Sequence, residues 1–165
     1  MSTKLPLHAF FVDVTVNKEQ MGVAGNILGF SLFRVHVFNS NHEEPLIHVD
    51  FPFSGMSCGS KIRLFSSSKE NLKRISGDFE KIAKAKLVSI TRPEETPDSP
   101  TWVCVKRVNL KSKKSATFQY PPFVRVRSQS TDKTFPIYFQ RQIVYTRAGK
   151  FSPNTYGLNA HLPSF

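Results

Sequence analysis

Among the side chains of this 165-residue chain, the histidines are best suited to moving a proton near neutral pH, because an imidazole changes charge between about pH 5 and 8. His36, His42, His48 and His161 are the candidates. Metal chemistry has less to work with. Cys58 and Cys104 stand far apart without metal-ligand spacing and read as reduced thiols of a cytoplasmic protein. Two-metal catalysis needs several converging carboxylates. Residues 101–165 hold one acid, Asp132, and the acids before residue 92 are scattered over expected helices and strand ends. One substrate class brings its own nucleophile. RNA can be cut by deprotonating a 2′-hydroxyl, aligning it with the adjacent phosphorus and stabilising the pentavalent charge. That requires a near-neutral histidine, hydroxyl side chains to hold the ribose and basic groups near the phosphate. The sequence contains all three, and no cofactor is expected.

The charge distribution points to the same substrate class. The formal charge is +11, and residues 101–165 hold 11 Lys/Arg against one acid, whereas residues 1–91 hold 11 against 8. A positive excess concentrated in one segment is the footprint of a polyanion binder. A solubilising surface or an anionic membrane is the alternative, but the basic segment contains no amphipathic helix, so nucleic acid ranks first. Asp13, Arg34 and Asp50 interrupt the apolar stretches before any reaches the ~20 residues that span a bilayer. With only Lys4 ahead of Leu5-Pro6-Leu7 and no small-residue cleavage site, a bacterial cytoplasmic protein without membrane partners is expected. The 15 phenylalanines argue for a packed core.

These residues need elements to position them. Leu7–Val16, Leu46–Phe51, Lys61–Phe65 and Lys86–Ile90 read as strands. Asn17 with Gln20 reads as a capping box opening a helix to about Asn39. Ala24, Ile27, Leu28, Val35 and Phe38 form its apolar face, against the helix-weakening Gly22, Gly25 and Gly29. Ser67 with Glu70 caps a second helix with Leu72, Ile75, Phe79 and Ile82 on its buried face. The order strand, helix, strand, strand, helix, strand predicts an α+β protein with a ferredoxin-like domain over residues 1–91. Arg92–Pro100, with three prolines and three acids, reads as a linker. Residues 101–165 then form a smaller β-rich basic domain, with strands over Trp102–Leu110, Val124–Arg127, Thr134–Phe139 and Gln142–Thr146.

The strand Gly59–Phe65 lacks the paired aromatics with which common RNA-binding sheets stack bases, and helix-turn-helix and zinc-finger spacings are absent. The stretch Pro122-Phe123-Val124-Arg125-Val126-Arg127-Ser128-Gln129-Ser130-Thr131 resembles a P-F-V-x-x-R-S-Q-S-T motif, continuing through Phe135 to Tyr156-Gly157-Leu158. His36 stands 16 residues before Pro52 of Val49-Asp50-Phe51-Pro52, the distance at which the same family places a helix histidine before a V-S-F-P strand. That family is the CRISPR-associated pre-crRNA-processing endoribonucleases of type I-F systems, and the likeness covers about half the chain.

The resemblance implies a metal-independent cut on the 3′ side of a CRISPR repeat stem-loop, leaving a 2′,3′-cyclic phosphate. It also implies that the protein stays on the crRNA hairpin with the other subunits of an interference complex. His36 would take the proton from the 2′-hydroxyl, and Ser128 would hold that ribose. Thr131 and Tyr156 would brace the serine and the scissile phosphate, and Phe135 would stack on the base pair at the foot of the stem. Arg107 and Asn109 would read a guanine edge, with Asn109 standing where the family has glutamine. Gln129, Arg125 and Arg127 join them as expected RNA contacts. The family's arginine-rich helix is replaced by a short segment whose Lys111, Lys113 and Lys114 would meet phosphates. Taken alone, the same residues have structural readings: a dipole-stabilised His36 near a helix end, turn hydroxyls at Ser128 and Thr131, and core aromatics at Phe135 and Tyr156. Two other functions stay open: a crRNA-hairpin binder that does not cut, and an unrelated basic RNA-binding domain.

Overall fold

The computed structural model describes residues 6, 8–110, 120–144 and 152–165 and is a mixed α+β structure with two antiparallel sheets. The first sheet contains β1 (Phe10–Val16), β2 (His48–Asp50), β3 (Lys61–Ser66) and β4 (Val88–Ile90) in the order β2-β3-β1-β4. β5 (Glu94–Glu95) adds to the start of β1. Thus the segment expected as a linker contributes to this sheet. The second sheet runs β7-β8-β6-β9, formed by β6 (Trp102–Val108), β7 (Phe123–Arg127), β8 (Thr134–Val144) and β9 (His161–Pro163).

β1 is apolar on both faces because both are covered. Val12 and Val14 join the main buried cluster, while Phe11 packs with Phe65, Val103, Ala160 and Leu162 on the other side. The one charge inside β1, Asp13, accepts hydrogen bonds from Arg63 Nε at 2.7 Å and Lys61 Nζ at 3.0 Å. These partners hold its carboxyl below the ordinary range against the opposing effect of burial. The main cluster continues from the first sheet through α1 (Ala24–Ser40) into Val105, Val124, Val126, Ile137 and Phe139 of the second. Phe51 and Phe139 stack across this junction, with ring centroids 4.4 Å apart. Asp50, fully buried, forms a two-pronged ion pair with Arg141 at 2.8 and 3.0 Å.

α1 joins the two sheets. An added Cβ at Gly29 would stand 1.8 Å from the Arg125 carbonyl oxygen, so only glycine lets the helix lie this close to β7. The stretch Lys18–Ser40 does reach the length and apolarity of a membrane span, contrary to the sequence reading. In this fold Ala24, Ile27, Leu28, Leu32 and Val35 of this stretch pack into the main cluster, while Met21, Val23 and Phe30 are exposed.

Several local expectations are corrected. Asn17 makes no side-chain cap. Its Nδ2 donates to the Lys86 carbonyl at 2.6 Å, and a 3-10 turn over Lys18–Val23 precedes α1. Ser68, not Ser67, caps α2 (Lys69–Gly77), its Oγ accepting from Asn71 N at 3.4 Å. The second helix breaks at Asp78–Phe79 into α2 and α3 (Glu80–Lys84), although Leu72, Ile75 and Phe79 are buried as expected. Thr134–Phe139 and Gln142 onward are one strand, β8. Pro136 fits there because it lies beyond Tyr138, the last β8 residue opposite β6, where among the described residues β8 pairs only with β7.

Candidate active site

His36 lies one turn before the end of α1, half-buried. Its Nδ1 is 2.8 Å from Thr155 Oγ1, and its ring stacks on Tyr156 with centroids 4.3 Å apart and planes 13° from parallel. Phe33, on the preceding turn, stands 6.1 Å from it, centroid to centroid. Burial lowers the imidazole pKa below the ordinary histidine value of 6.5, which favours the neutral ring. When Nδ1–H donates to Thr155 Oγ1, Nε2 presents its lone pair. No hydrogen bond to Nε2 occurs among the described residues. This arrangement suits a general base, with the tautomer set by the partner on the other nitrogen.

The pairing is built by Asn39 and a turn near the C-terminus. The Asn39 Oδ1 accepts from Leu46 N and Ile47 N, both at 3.0 Å. Its Nδ2 donates to the Ile47 carbonyl at 2.9 Å and the Thr155 carbonyl at 3.0 Å. One buried amide therefore ties the end of α1 and the approach to β2 to the segment carrying Thr155 and Tyr156. The turn is closed by Gly157 N donating to the Asn154 carbonyl at 2.8 Å, and Gly157 O accepts from Val49 N at 2.8 Å. Gly157 has φ +72°, and a Cβ there would meet the Ile47 carbonyl oxygen at 2.5 Å. Both facts demand glycine beside Tyr156.

Ser128 follows β7 at the turn into β8. Its N–H donates to the Lys133 carbonyl at 2.9 Å, and its Oγ lies 3.1 Å from Ser130 Oγ and accepts from Thr131 N at 3.4 Å. Gln129 is exposed at the same turn, and Arg127 pairs with Asp132 at 2.6 Å beside it. Thr131 thus braces Ser128 through its backbone rather than its hydroxyl. Among the described residues no hydrogen bond joins this hydroxyl cluster to His36, Thr155 or Tyr156.

The sheet register places the remaining candidates. Arg107 stands opposite Phe139 and Val105 opposite Arg141, so Arg107 shares its face with core residues, as does Phe135, which packs against the main cluster. Burial pushes the Tyr156 phenol up, and the Arg107 charge partly opposes that push. Arg107 is level with Phe139 and Ser128 with Lys133. That six-residue interval is about 20 Å along β8 at ~3.3 Å per residue, so the two would meet different nucleotides of a bound strand. Asn109 lies just past β6, exposed, and Arg125 is exposed on β7. Lys111, Lys113 and Lys114 lie outside the described residues.

The other histidines have structural surroundings. His42 Nδ1 is 2.8 Å from the Phe38 carbonyl, and His48 is buried with neither ring nitrogen hydrogen-bonded among the described residues. Thr155 and Asn39 were missed in the sequence. The Tyr156-Gly157 dipeptide was a signal for the turn, but nothing local marks Thr155 as the partner of His36. Among the described residues no group of three or more His, Cys, Asp or Glu converges as a metal site would require. A scan against protein-family models finds no match, and a search of curated proteins finds none either.

Proposed function

We propose that this chain is a metal-independent endoribonuclease that binds the stem-loop of CRISPR repeat RNA and cleaves it on its 3′ side by 2′-hydroxyl attack. It then remains on the crRNA 3′ hairpin as a subunit of a type I-F interference complex in the bacterial cytoplasm. The observation that carries this reading is the His36 imidazole, bonded at Nδ1 to Thr155 Oγ1 and stacked on Tyr156, with burial favouring its neutral form. In the proposed reaction Nε2 removes the 2′-hydroxyl proton and the resulting oxygen attacks the adjacent phosphorus. The bond from phosphorus to the 5′-oxygen of the next nucleotide breaks and that oxygen takes a proton from water, giving a 2′,3′-cyclic phosphate and a 5′-hydroxyl, while the proton on Nε2 is later lost to solvent. Ser128 holds the ribose, Thr131 fixes Ser128 and Tyr156 backs the base. Arg107, Asn109, Gln129 and Phe135 contact the RNA around the foot of the stem. Arg125 and Arg127, with Lys111, Lys113 and Lys114, supply phosphate contacts.

We read the first sheet as ferredoxin-like. Its support is the all-antiparallel order β2-β3-β1-β4, with α1 and α2 touching each other and the central strands β1 and β3. In this reading the N-terminal unit ends near residue 91 and supplies the base.

A second reading is favoured by one observation: Ser128 bonds within its own turn and has no hydrogen bond to the histidine group among the described residues. In that reading the protein caps the hairpin without cutting. Sequencing the RNA that co-purifies with the chain and determining its 3′ end tests both. The proposal expects one species ending at the foot of a repeat hairpin in a cyclic or 3′-phosphate. RNA lacking any repeat hairpin would overturn it.

A further inference from the structure

A groove of about 360 Å³ runs between α1 and the β7–β8 edge, lined by Asn26, Phe30 and Phe33 on the helix and Arg125, Arg127 and Thr134 on the strands. We infer that this groove is a subsite for unpaired RNA, holding the single-stranded nucleotides on the far side of the scissile phosphate from the stem. This inference rests on the function proposed above and extends it to a part of the substrate that the hairpin contacts leave unassigned.

Three observations carry it. The first is chemistry. Asn26, Phe30 and Phe33 follow one another at helical spacing, and Phe30 is 41 % exposed, an unusual cost for a helix whose other apolar residues are mostly buried. Two aromatic faces opposite two guanidinium groups match a strand whose bases stack while its phosphates seek cations. Arg125 makes no ion pair among the described residues, whereas Arg127 shares its charge with Asp132.

The second is continuity. The Phe30–Phe33 stripe extends to His36, whose ring stands 6.1 Å from that of Phe33, and Arg127 immediately precedes Ser128. The groove therefore adjoins His36 along the helix and Ser128 along β7.

The third is the register of the second sheet. Arg125 pairs with Pro136 and Arg127 with Thr134, on the opposite face from Val124, Val126 and Phe135. The residues expected to hold the stem, Arg107 and Phe135, lie on the core-side face. The groove residues lie on the other. A strand passing from one to the other crosses the β7–β8 turn at Ser128. The groove is then placed for what lies beyond the cut, which in a stem-loop substrate is unpaired.

The test uses the full chain and a 12-nucleotide single-stranded RNA carrying 5-bromouridine, irradiated to cross-link bases to stacked aromatic rings. The adduct is expected on Phe30 or Phe33. Phe30→Ala should weaken binding of the oligomer about tenfold. Arg125→Gln should lower the slope of log affinity against log salt by about 0.7, one single-strand phosphate contact. Adducts confined to other aromatic residues, or a Phe30→Ala variant binding like wild type, would overturn the inference. The parent reading fails separately: repeat RNA left uncut by a chain that still cross-links at Phe30 removes the nuclease and keeps the groove. Cleavage with unchanged KM in Phe30→Ala, with no adduct at Phe30 or Phe33, keeps the nuclease and removes the groove.

Discussion

The imidazole of His36 lies face to face with the phenol of Tyr156, 4.3 Å between centroids and 13° from parallel, although 120 residues separate them in the chain. The stack covers one face of the histidine, and Thr155 Oγ1 occupies its Nδ1. Only a rigid junction of α1, β2 and the 154–157 turn can hold this geometry, and Asn39 provides it with four hydrogen bonds.

The stack sets the first prediction. Because burial disfavours the imidazolium, the rate of RNA cleavage should rise with pH through a midpoint below 6.5 and then level off. Tyr156→Phe keeps the ring and should keep the profile. Tyr156→Ala opens the histidine to water, moves the midpoint up toward 6.5 and slows cleavage at pH 7 about tenfold. A pH–rate series on the three proteins, paired with an NMR titration of the His36 ring, reads both effects. A midpoint unmoved in Tyr156→Ala would remove the stack from the account.

His48 predicts an acid weakness. It is buried with no hydrogen bond to either ring nitrogen among the described residues, and desolvation, assisted by nearby His8, lowers its pKa to about 4. The unfolded chain takes up this proton near pH 6.5, before the folded one does. Stability is therefore full above pH 6.5 and declines as pH falls toward 4. From that shift the loss is about 3 kcal/mol. Urea midpoints at pH 7.5 and 4.5 should separate for the wild type, and much of that difference should vanish in His48→Leu.

Gly29→Ala should be among the most damaging methyl additions in the chain. Its Cβ would sit 1.8 Å from the Arg125 carbonyl oxygen, a backbone atom that cannot swing aside. Forcing α1 away from β7 should cost about 2–3 kcal/mol. Gly77→Ala meets nothing within 4 Å and serves as the control. Thermal melts of the two variants should differ by several degrees, and equal melting temperatures would contradict the close packing.

Asp50→Asn should destabilise the junction of the two sheets. It leaves the Arg141 guanidinium, 20 % exposed, without its carboxylate, at a cost of about 3 kcal/mol. The double change Asp50→Asn with Arg141→Gln should recover part of that loss. A double variant less stable than the sum of the two single losses would show that the pair is not coupled as described.

What the sequence revealed follows from the range of each interaction. The apolar positions Ala24, Ile27, Leu28 and Val35 in α1 are buried, and the β7 alternation of Val124 and Val126 with Arg125 and Arg127 is legible residue by residue. Helix ends were less legible, because Asn17 resembles a cap but bonds to Lys86, 69 residues away. The break expected between Phe139 and Gln142 is absent, since Thr134–Val144 runs as one strand, and Pro136 is accommodated in it where the β6 pairing stops short. For the candidate site, His36 and Tyr156 were named through the family resemblance. Thr155 and Asn39 were not, since their roles come from contacts 119 and 116 residues apart. The brief strands Glu94–Glu95 and His161–Pro163 carry too few residues to show a period.

The most direct measurement is cleavage of a repeat stem-loop RNA by wild-type and His36→Ala protein in EDTA, with the product ends identified. The account predicts a single cut leaving a 2′,3′-cyclic phosphate, slowed about 10²–10⁴-fold in His36→Ala, with hairpin binding retained. A variant that cuts as fast as the wild type, or a wild type that cuts only when a divalent metal is restored, would contradict it.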